Sequence, residues 1–538
     1  MPRLLVLIPL FVWLLRPSEP ADLLGALAGE AWLSAAMLVG GLFGVVVLQV
    51  AATTSALRAT RRRHPPPGWS NYARSAAPML LSAWLATCIW LLGWPAAVEA
   101  FVAPLPKPGG LFAPQSVELP IAVGPVYLAW AALLALDWPL VLGRLQRRVL
   151  LDVDFGEAPQ PLPTFGRWWL ERLRSRLGIV VVPLAIFWLF RDGAAVLVGR
   201  LAPGASSEAT EWMLLACSAI PSLFVWPWLV VRVLPTRPLE GPGGRPFEPV
   251  GGAIAELAHH AGLGRRGTVR VWDTGYTTAN ALAIGFVPRL RYVLMSDLLM
   301  AGMKPPHAQA VFAHEAGHVR HRHMAWFLVF FAALSLLLAG PLAALTDGVD
   351  AQIWRATGSS AADLPEWALW AASLLLLALA IALFGKLSRL FERQADVYAA
   401  RVMQDLAVGR RTRTPGPVGP EGAAAFAGAL SAAMQLNRTF ASQPRRQNDA
   451  TDDALHETPP QLGVALIRRR AFSPRRSLDR LLGATAHFLH GSYQTRTTYL
   501  RRLSLDPTAT RRFEQRVLVL KGLIAGVAIA SLAWVAWA

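Results

Sequence analysis

The stretch AVFAHEAGHVRHRH, residues 310–323, contains the side chains of this sequence that are best suited to metal chemistry. His314 and His318 are four residues apart, so on a helix their imidazoles share one face and can bind one cation. Glu315 follows directly, where its carboxylate can take a proton from a metal-activated water without binding the metal. This HExxH spacing predicts a hydrolytic zinc site. The alternative is a chance match, expected in roughly one in a hundred chains of this size.

A third ligand is expected elsewhere, because a catalytic zinc usually has three protein ligands and keeps one position for water. The segment SRLFERQADVYAAR, residues 388–401, offers Glu392 and Asp396 on one helical face. A solvated helix face, or contact of these acids with Arg389 and Arg393, is the other explanation of the pair.

The elements that must bring these residues together are largely membrane spans. The chain of 538 residues is 54% hydrophobic with a mean hydropathy of +0.39, and its 21 Trp suit a protein that meets lipid headgroups. Apolar segments suited to membrane helices lie at 4–15 (short), 31–57, 77–98, 120–143, 177–199, 211–233, 324–345, 364–385 and 517–538. The spans 324–345 and 364–385 are similar in length, so a hairpin of the two returns Glu392 to the membrane face that carries His318.

Arginine is distributed unevenly among the connectors between these spans. The connector after the second span reads LRATRRRH and the one after the fourth is also rich in arginine, whereas 99–119 has Lys107 as its only basic residue. By the positive-inside rule the arginine-rich connectors are cytoplasmic, and so are 234–323 and 386–516. The predicted location is the cell inner (plasma) membrane, which the chain crosses several times. The net charge of +18 therefore indicates topology and contact with the lipid bilayer, not nucleic acid.

Several separated motifs resemble those of the M48 zinc metallopeptidases, the family of the heat-shock protease HtpX and the membrane CAAX prenyl proteases. They occur in family order as NALAIG (280–285), RYVLMSDLL (291–299), HEAGHVRHRH (314–323), SRLFERQAD (388–396) and HGSYQTR (490–496). In the last motif Gly491 replaces the family's Pro. The resemblance implies a mainly α, polytopic membrane protein with a gluzincin-type zinc-peptidase domain. That domain has a small β element and is embedded between transmembrane helices.

The resemblance also implies a ligand set and a base. His314, His318 and Glu392 would bind Zn²⁺. Glu315 would be the general base and then the proton donor, and Asp396 would hold a ligand histidine in the correct tautomer.

Four further residues are matched by the motifs that flank the zinc helix. Arg496 and His490 would lie near the site and stabilise the oxyanion that forms when water attacks a peptide carbonyl. Asn280 and Ala281 would lie on an edge strand, to which an extended substrate adds as another strand.

The spans and motifs together predict five segments. These are a multi-span membrane region of about six spans at 1–235, the first half of a peptidase domain at 236–323, a membrane hairpin at 324–385, the second half of the domain at 386–516 and a last span at 517–538. The runs TVRVWDT and RYVLMSD are rich in β-branched and aromatic residues and predict strands. Pro305 and Pro306 begin the HExxH helix, and with no breaker after it that helix is expected to continue into the next span.

Three other polar residues are given structural interpretations. His321 and His323 do not both share the face of His314, so they are expected to mark the point where the helix enters lipid. Asp137 is an acid inside the fourth predicted span. Such an acid is either functional or part of a hydrogen bond between packed helices.

These observations predict a membrane-embedded zinc metalloendopeptidase. It would hydrolyse membrane-associated proteins or peptides at the cytoplasmic face, in quality control or in maturation. The alternative is a membrane receptor or scaffold that uses the zinc domain for sensing or structure without proteolysis.

Overall fold

The structure is a computed structural model, and it describes most of the chain. The described residues are 31–62, 67–104, 114–143, 145–146, 162–202, 206–240, 247–263, 268–275, 278–338, 366–410, 415–441 and 493–537, with single positions 9, 13, 204 and 352. The chain divides into two compact units, Met1–Pro235 and Thr236–Ala538. His490 and nearly all of the short predicted span 4–15 lie outside the described residues.

The N-terminal unit is helical in its described part. Its main helices are α1 (Ala31–Arg61), α2 (Gly68–Leu91), α3 (Trp94–Val102), α4 (Pro114–Leu136), α5 (Phe165–Leu173), α6 (Ile179–Leu201) and α7 (Ser207–Val233). Across the described part of the whole chain, five helices are long and apolar enough to cross a membrane, or six if one bent pair counts as a span. Large apolar side chains such as Trp32 and Phe43 are exposed on α1, as lipid-facing residues would be.

The bent pair is α2 and α3, whose axes differ by 82°. Gly93 between them has φ 65°, a left-handed conformation that glycine adopts without a Cβ clash. The indole of Trp94 then donates to the carbonyl of Ala122 at 3.0 Å, which fixes α3 against α4. The predicted span 77–98 is therefore broken at this glycine.

Asp137 has partners on two other helices of the same unit. Its Oδ1 accepts hydrogen bonds from Nε and a terminal nitrogen of Arg74, at 3.1 and 2.8 Å, and from Gln49 at 3.3 Å. Gln49 is on α1 and Arg74 is on α2. Of the two interpretations of this acid, the contacts favour the hydrogen bond between packed helices.

The C-terminal unit combines a small mixed sheet with helices. Its strands are β1 (Thr236–Pro238), β2 (Val269–Trp272), β3 (Ala281–Ile284) and β4 (Tyr292–Ser296). Its main helices are α8 (Val250–His260), α9 (Asp297–Gly302), α10 (Pro305–Arg320), α11 (His323–Leu337), α12 (Glu366–Ala407), α13 (Pro420–Ala441), α14 (Tyr493–Leu505) and α15 (Pro507–Trp537). The two strands expected from TVRVWDT and RYVLMSD are confirmed as β2 and β4.

The sheet has the strand order β1-β2-β4-β3. β2 and β4 are parallel, while β1 and β3 pair antiparallel to their neighbours. β3 therefore has β4 on one side and is an edge strand on the other. The sheet and helices share one hydrophobic core, which contains Phe312 of α10, Phe391 of α12 and Phe426 of α13.

The expectation of one unbroken helix from HExxH into the next apolar segment is wrong. α10 ends at Arg320, and Arg322 has φ 55°, so the chain turns before α11 begins at His323. A non-glycine residue in this left-handed region is uncommon and carries no signature in the sequence.

The helix that does join an apolar segment to the site is α12. It is continuous for 42 residues, so the boundary predicted at residue 385 lies inside it. The apolar half of α12 and Glu392 therefore belong to one rigid element.

Candidate metal centre

The two ligand-bearing helices, α10 and α12, meet with their backbones in near contact. A Cβ placed on Gly317 would lie 3.0 Å from Cα and 3.2 Å from the carbonyl oxygen of Ala395. The glycine of the HEAGH motif thus allows α12 to approach this closely without a shift of either backbone. This approach brings the side chains that flank Gly317 and Ala395 within reach of one another.

Three donor atoms converge from these helices. Nε2 of His314 lies 3.2 Å from Nε2 of His318, and each of these nitrogens lies 3.6 Å from a carboxylate oxygen of Glu392. Side chains of this trio offer ligand atoms that all lie within 4.8 Å of one another. His314 and Glu392 are buried and His318 is half-buried.

This spacing fits a zinc ion. With Zn–N and Zn–O bonds of about 2.0–2.2 Å, neighbouring ligand atoms of a tetrahedral site lie roughly 3.3–3.6 Å apart. The separations of 3.2 and 3.6 Å are close to that edge length, with Oε2 of Glu392 nearest to His314 and Oε1 nearest to His318. Two imidazoles and one carboxylate are also a ligand set that zinc hydrolases use, with a fourth position left for water.

Asp396 supports His314 from the side away from Glu392. Its Oδ1 lies 3.0 Å from Nδ1 of His314, although the ring N–H does not point straight at it. Arg496 of α14 binds both Asp396 oxygens through two nitrogens, and one of these nitrogens is 3.9 Å from Glu392. Burial opposes a charge on Asp396, yet Arg496 and His314 hold the pKa of its carboxyl below the usual value.

The two histidines have opposite protonation tendencies when no metal is bound. Burial favours the neutral form of His314, but the carboxylates of Asp396 and Glu392 outweigh it and raise its pKa to about 10. For His318, burial and the neighbouring His314 lower the pKa to about 4. The imidazole of His314 is then charged and donates a hydrogen bond, while the imidazole of His318 is neutral and accepts it.

Glu315 points toward the edge strand. Its Oε2 accepts a hydrogen bond of 2.8 Å from the backbone N–H of Ala283 in β3. Glu315 is half-buried, next to His314 in sequence, and contributes a negative charge to the surroundings of Arg496. The carboxylate is therefore anchored to β3, on the residue that follows the ligand candidate His314, and it is a candidate proton acceptor for hydrolysis.

Asn280 and Ala281 differ in which way their backbone groups point. The N–H of Asn280 donates to Oγ of Ser296, and its carbonyl accepts from the N–H of Ser296 at 2.9 Å. In an antiparallel pair these directions alternate, so the backbone groups of Ala281 and Ala283 point to the open edge. The N–H and carbonyl of Ala279, just before β3, bind the side chain of Asn437.

Sequence reasoning missed three residues behind His318. His323 is 1% exposed and is the first residue of the apolar helix α11. It contacts Gln394 of α12, which in turn contacts Lys521 of α15. Gln394 lies two residues from Glu392 and from Asp396 in the matched motif, and the isolated lysine in an apolar helix is a second signal that could have found this group.

Comparisons with known proteins agree with the site's motifs. Residues 246–414 match the family model described as Peptidase family M48. That range includes His314, His318, Glu392 and Asp396, and it ends before Arg496. Comparison with curated proteins gives no match. Among solved structures, the crystal structure of S. mikatae Ste24p is similar at 16% identity and a TM-score of 0.36, over 74% of this chain and 97% of that chain.

Proposed function

We propose that the protein is a zinc metalloendopeptidase of a membrane, and the match of residues 246–414 to the model of peptidase family M48 supports this proposal. The observation that carries the proposal is the convergence of His314, His318 and Glu392, with Glu315 next to His314 in sequence and bound to β3. A zinc ion bound by the first three residues supplies a Lewis acid that lowers the pKa of water to near neutrality.

The residues around the ligands have separate roles in the proposed reaction. Glu315 takes the proton of the attacking water and then gives it to the nitrogen of the departing peptide. Asp396 orients His314 and is itself held by Arg496. The role of Arg496 as a direct stabiliser of the oxyanion stays a prediction, as does that of His490.

The substrate is proposed to bind as an additional strand on β3. Ala281 and Ala283 offer backbone groups at the open edge, so a peptide in extended form can pair with both. The N–H of Ala283 now binds Glu315, so pairing with substrate would release that carboxylate toward the water. Binding of the substrate and release of Glu315 from the N–H of Ala283 would then occur together.

The substrates are proposed to be membrane proteins or membrane-associated peptides, in quality control or maturation. The support is α12, a single helix whose first half is apolar and whose second half carries Glu392. The arginine-rich connectors favour a site that faces the cytoplasm. A topology reporter fused after Glu240 should therefore read out as cytoplasmic, and a periplasmic signal would contradict this placement.

The experiment that tests the activity compares wild type with Glu315→Gln after purification in detergent. Both proteins should contain about one zinc per chain. Only wild type should cleave a panel of detergent-solubilised membrane proteins, with the variant about 10²–10⁴-fold slower, the usual contribution of a general base. Glu421→Gln is the matched control, since Glu421 is exposed on α13 and contacts Gln404.

Equal cleavage by wild type and Glu315→Gln would reject the mechanism. Zinc binding by both with cleavage by neither, across the whole panel, would support a receptor or scaffold that uses the zinc domain without proteolysis.

A further inference from the structure

His323 lies directly behind the zinc-ligand candidate His318. Arg322 has a left-handed backbone conformation, and the chain turns there after the HExxH helix. This turn brings the side chain of His323 back to His318. The imidazole of His323 stacks on the ring of Phe391 with centroids 4.3 Å apart and planes 4° from parallel. Its ring is therefore fixed in position and orientation.

Both ring nitrogens of His323 have partners. Nδ1 lies 2.9 Å from Nδ1 of His318, and Nε2 lies 3.0 Å from Oε1 of Gln394. The same Gln394 oxygen lies 3.3 Å from the amine of Lys521. A row of hydrogen bonds thus runs from α15 through α12 and α11 to the far side of His318.

The chemistry of these groups determines where each proton lies. A lysine amine donates to Oε1 of Gln394, so this atom is the amide oxygen and an acceptor. Nε2 of His323 must then carry its proton and donate to the same oxygen. A neutral His323 has its lone pair on Nδ1, so it accepts from an N–H at Nδ1 of His318. This leaves the lone pair of His318 on Nε2, the atom that faces His314 and Glu392.

Lys521 is placed to hold the start of this row. It is buried, and its amine also donates to the carbonyl of His321 at 3.2 Å. The amine lies over the rings of Trp326 and Phe391, at 5.6 and 5.2 Å from their centroids. A cation in such a position is stabilised by the aromatic faces, which suits a lysine in an apolar helix.

We infer that His323 is a positioning residue that fixes His318 in the tautomer able to bind zinc through Nε2, with Gln394 and Lys521 fixing His323 in turn. This inference rests on the proposed function, since it concerns the same metal. It assigns the C-terminal apolar helix α15 a part in metal binding. Histidine ligands commonly need a partner of this kind on the second ring nitrogen.

The contacts exclude a direct ligand role for His323, because both of its nitrogens are already engaged. A role in packing alone is the remaining alternative. It predicts that an aromatic ring of similar size should replace His323 without loss.

The test measures the zinc affinity of the detergent-purified protein by competition with a chelator. His323→Phe keeps the stacked ring on Phe391 but removes the acceptor, and should weaken zinc binding about 10–100-fold. His321→Phe is the matched control two residues away. The His321 ring stacks on His323 at 5.7 Å and should tolerate the change with affinity within about twofold of wild type.

Two further variants separate tautomer control from packing. His323→Asn puts a carboxamide oxygen near the former Nδ1 and should recover much of the affinity, although it loses the stacked ring. Lys521→Met keeps the length of the side chain and should weaken zinc binding less than His323→Phe does. The absorption spectrum of the Co²⁺-loaded protein should shift in His323→Phe and return toward wild type in His323→Asn.

The outcomes distinguish this inference from the proposed function. Wild type that binds zinc, together with His323→Phe at unchanged affinity and unchanged Co²⁺ spectrum, overturns the inference alone. Retained affinity in His323→Phe together with weak binding in His323→Asn would assign His323 to packing and also overturn it. Equally weak binding in both variants would show that an acceptor at this position does not restore zinc binding, and would overturn it as well. Wild type that binds no zinc would remove the proposed function and the inference with it.

Discussion

Each of the two units contains acids among apolar helices, and the two sets are neutralised differently. In the N-terminal unit, Asp137 accepts hydrogen bonds from the guanidinium of Arg74 and the amide of Gln49, and the guanidinium of Arg176 also interacts with its charge. In the C-terminal unit, the carboxylates of Glu392 and Asp396 face one guanidinium and two histidines. Glu315 adds a third carboxylate nearby.

The difference shows how a structural charge cluster can be told from a metal site. The charge of Asp137 is matched by the guanidinium groups near it, so this cluster has no excess of negative charge. Among the described residues, the carboxylates of Glu315, Glu392 and Asp396 exceed the charges of Arg496 and protonated His314 by one negative charge. When His314 gives up its proton the excess becomes two, which a divalent cation offsets. An excess of this kind, with lone pairs aimed at one point, is the physical signature of a cation site.

The largest expected effect is on zinc affinity in Glu392→Ala. This change removes the only carboxylate among the three convergent donors of the described residues, and the affinity should fall by more than about 100-fold, beyond the usual effect of supporting residues. Zinc content after dialysis against a weak chelator measures it. Glu421→Ala on α13 is the control, and unchanged zinc in Glu392→Ala would remove Glu392 from the ligand set.

A smaller loss is expected from Asp396→Asn. The amide keeps the size of the side chain but has one oxygen to serve both His314 and Arg496, so zinc affinity should fall about 10–100-fold. Asp405→Asn is a matched change on the same helix, because Asp405 is buried and binds Gly416 instead. Equal affinities of the two variants would contradict the supporting role of Asp396.

The pH dependence of zinc binding should be about tenfold per pH unit. His314 carries a proton at neutral pH because its pKa is raised to about 10, and zinc must displace that proton. His318, with its pKa lowered to about 4, is already neutral and adds no further dependence above that pH. Affinity should therefore rise with pH until it passes about 10. Calorimetry at pH 7.5 in buffers of different ionisation enthalpy should detect release of about one proton, and release of none would disagree.

The smallest effect is expected in the N-terminal unit. Asp137→Ala leaves Arg74 without its carboxylate, and the Arg74–Asp137 side chains are only partly exposed, at 20% and 30%. The loss should be about 1–2 kcal/mol, or a few degrees in the apparent melting temperature. Zinc affinity should not change. The double variant Arg74→Ala/Asp137→Ala should be less destabilised than Asp137→Ala, because it leaves no unpaired charge. Loss of zinc binding in Asp137→Ala would contradict the distinction between the structural cluster and the metal site.

The ligand residues could be predicted because their spacing is local. His314 and His318 share a helical face at any position in a fold, and Glu392 and Asp396 do the same four residues apart. Helical periodicity alone does not indicate whether Glu392 or Asp396 is the ligand. That choice came from the resemblance to a family, and the donor distances agree with it.

The supporting residues could not be predicted, because their contacts depend on one backbone angle. A continuous helix through Arg322 would carry His323 away from His318, and the sequence has no glycine or proline there to indicate the turn. Lys521 stands in the apolar helix α15. Its partners, Gln394 and the His321 carbonyl, are more than a hundred residues away in sequence, and only tertiary packing brings them together.

The contact between Gly317 and Ala395 has a consequence for how such a protein can vary. The distance between the ligand-bearing helices is set where their main chains touch, not by the length of polypeptide that connects them. The segment that connects the two helices can therefore be lengthened, shortened or exchanged while the helices still bind the ion. The two helices therefore form one metal-binding unit that can be transferred to another protein, provided that the glycine at position 317 is kept.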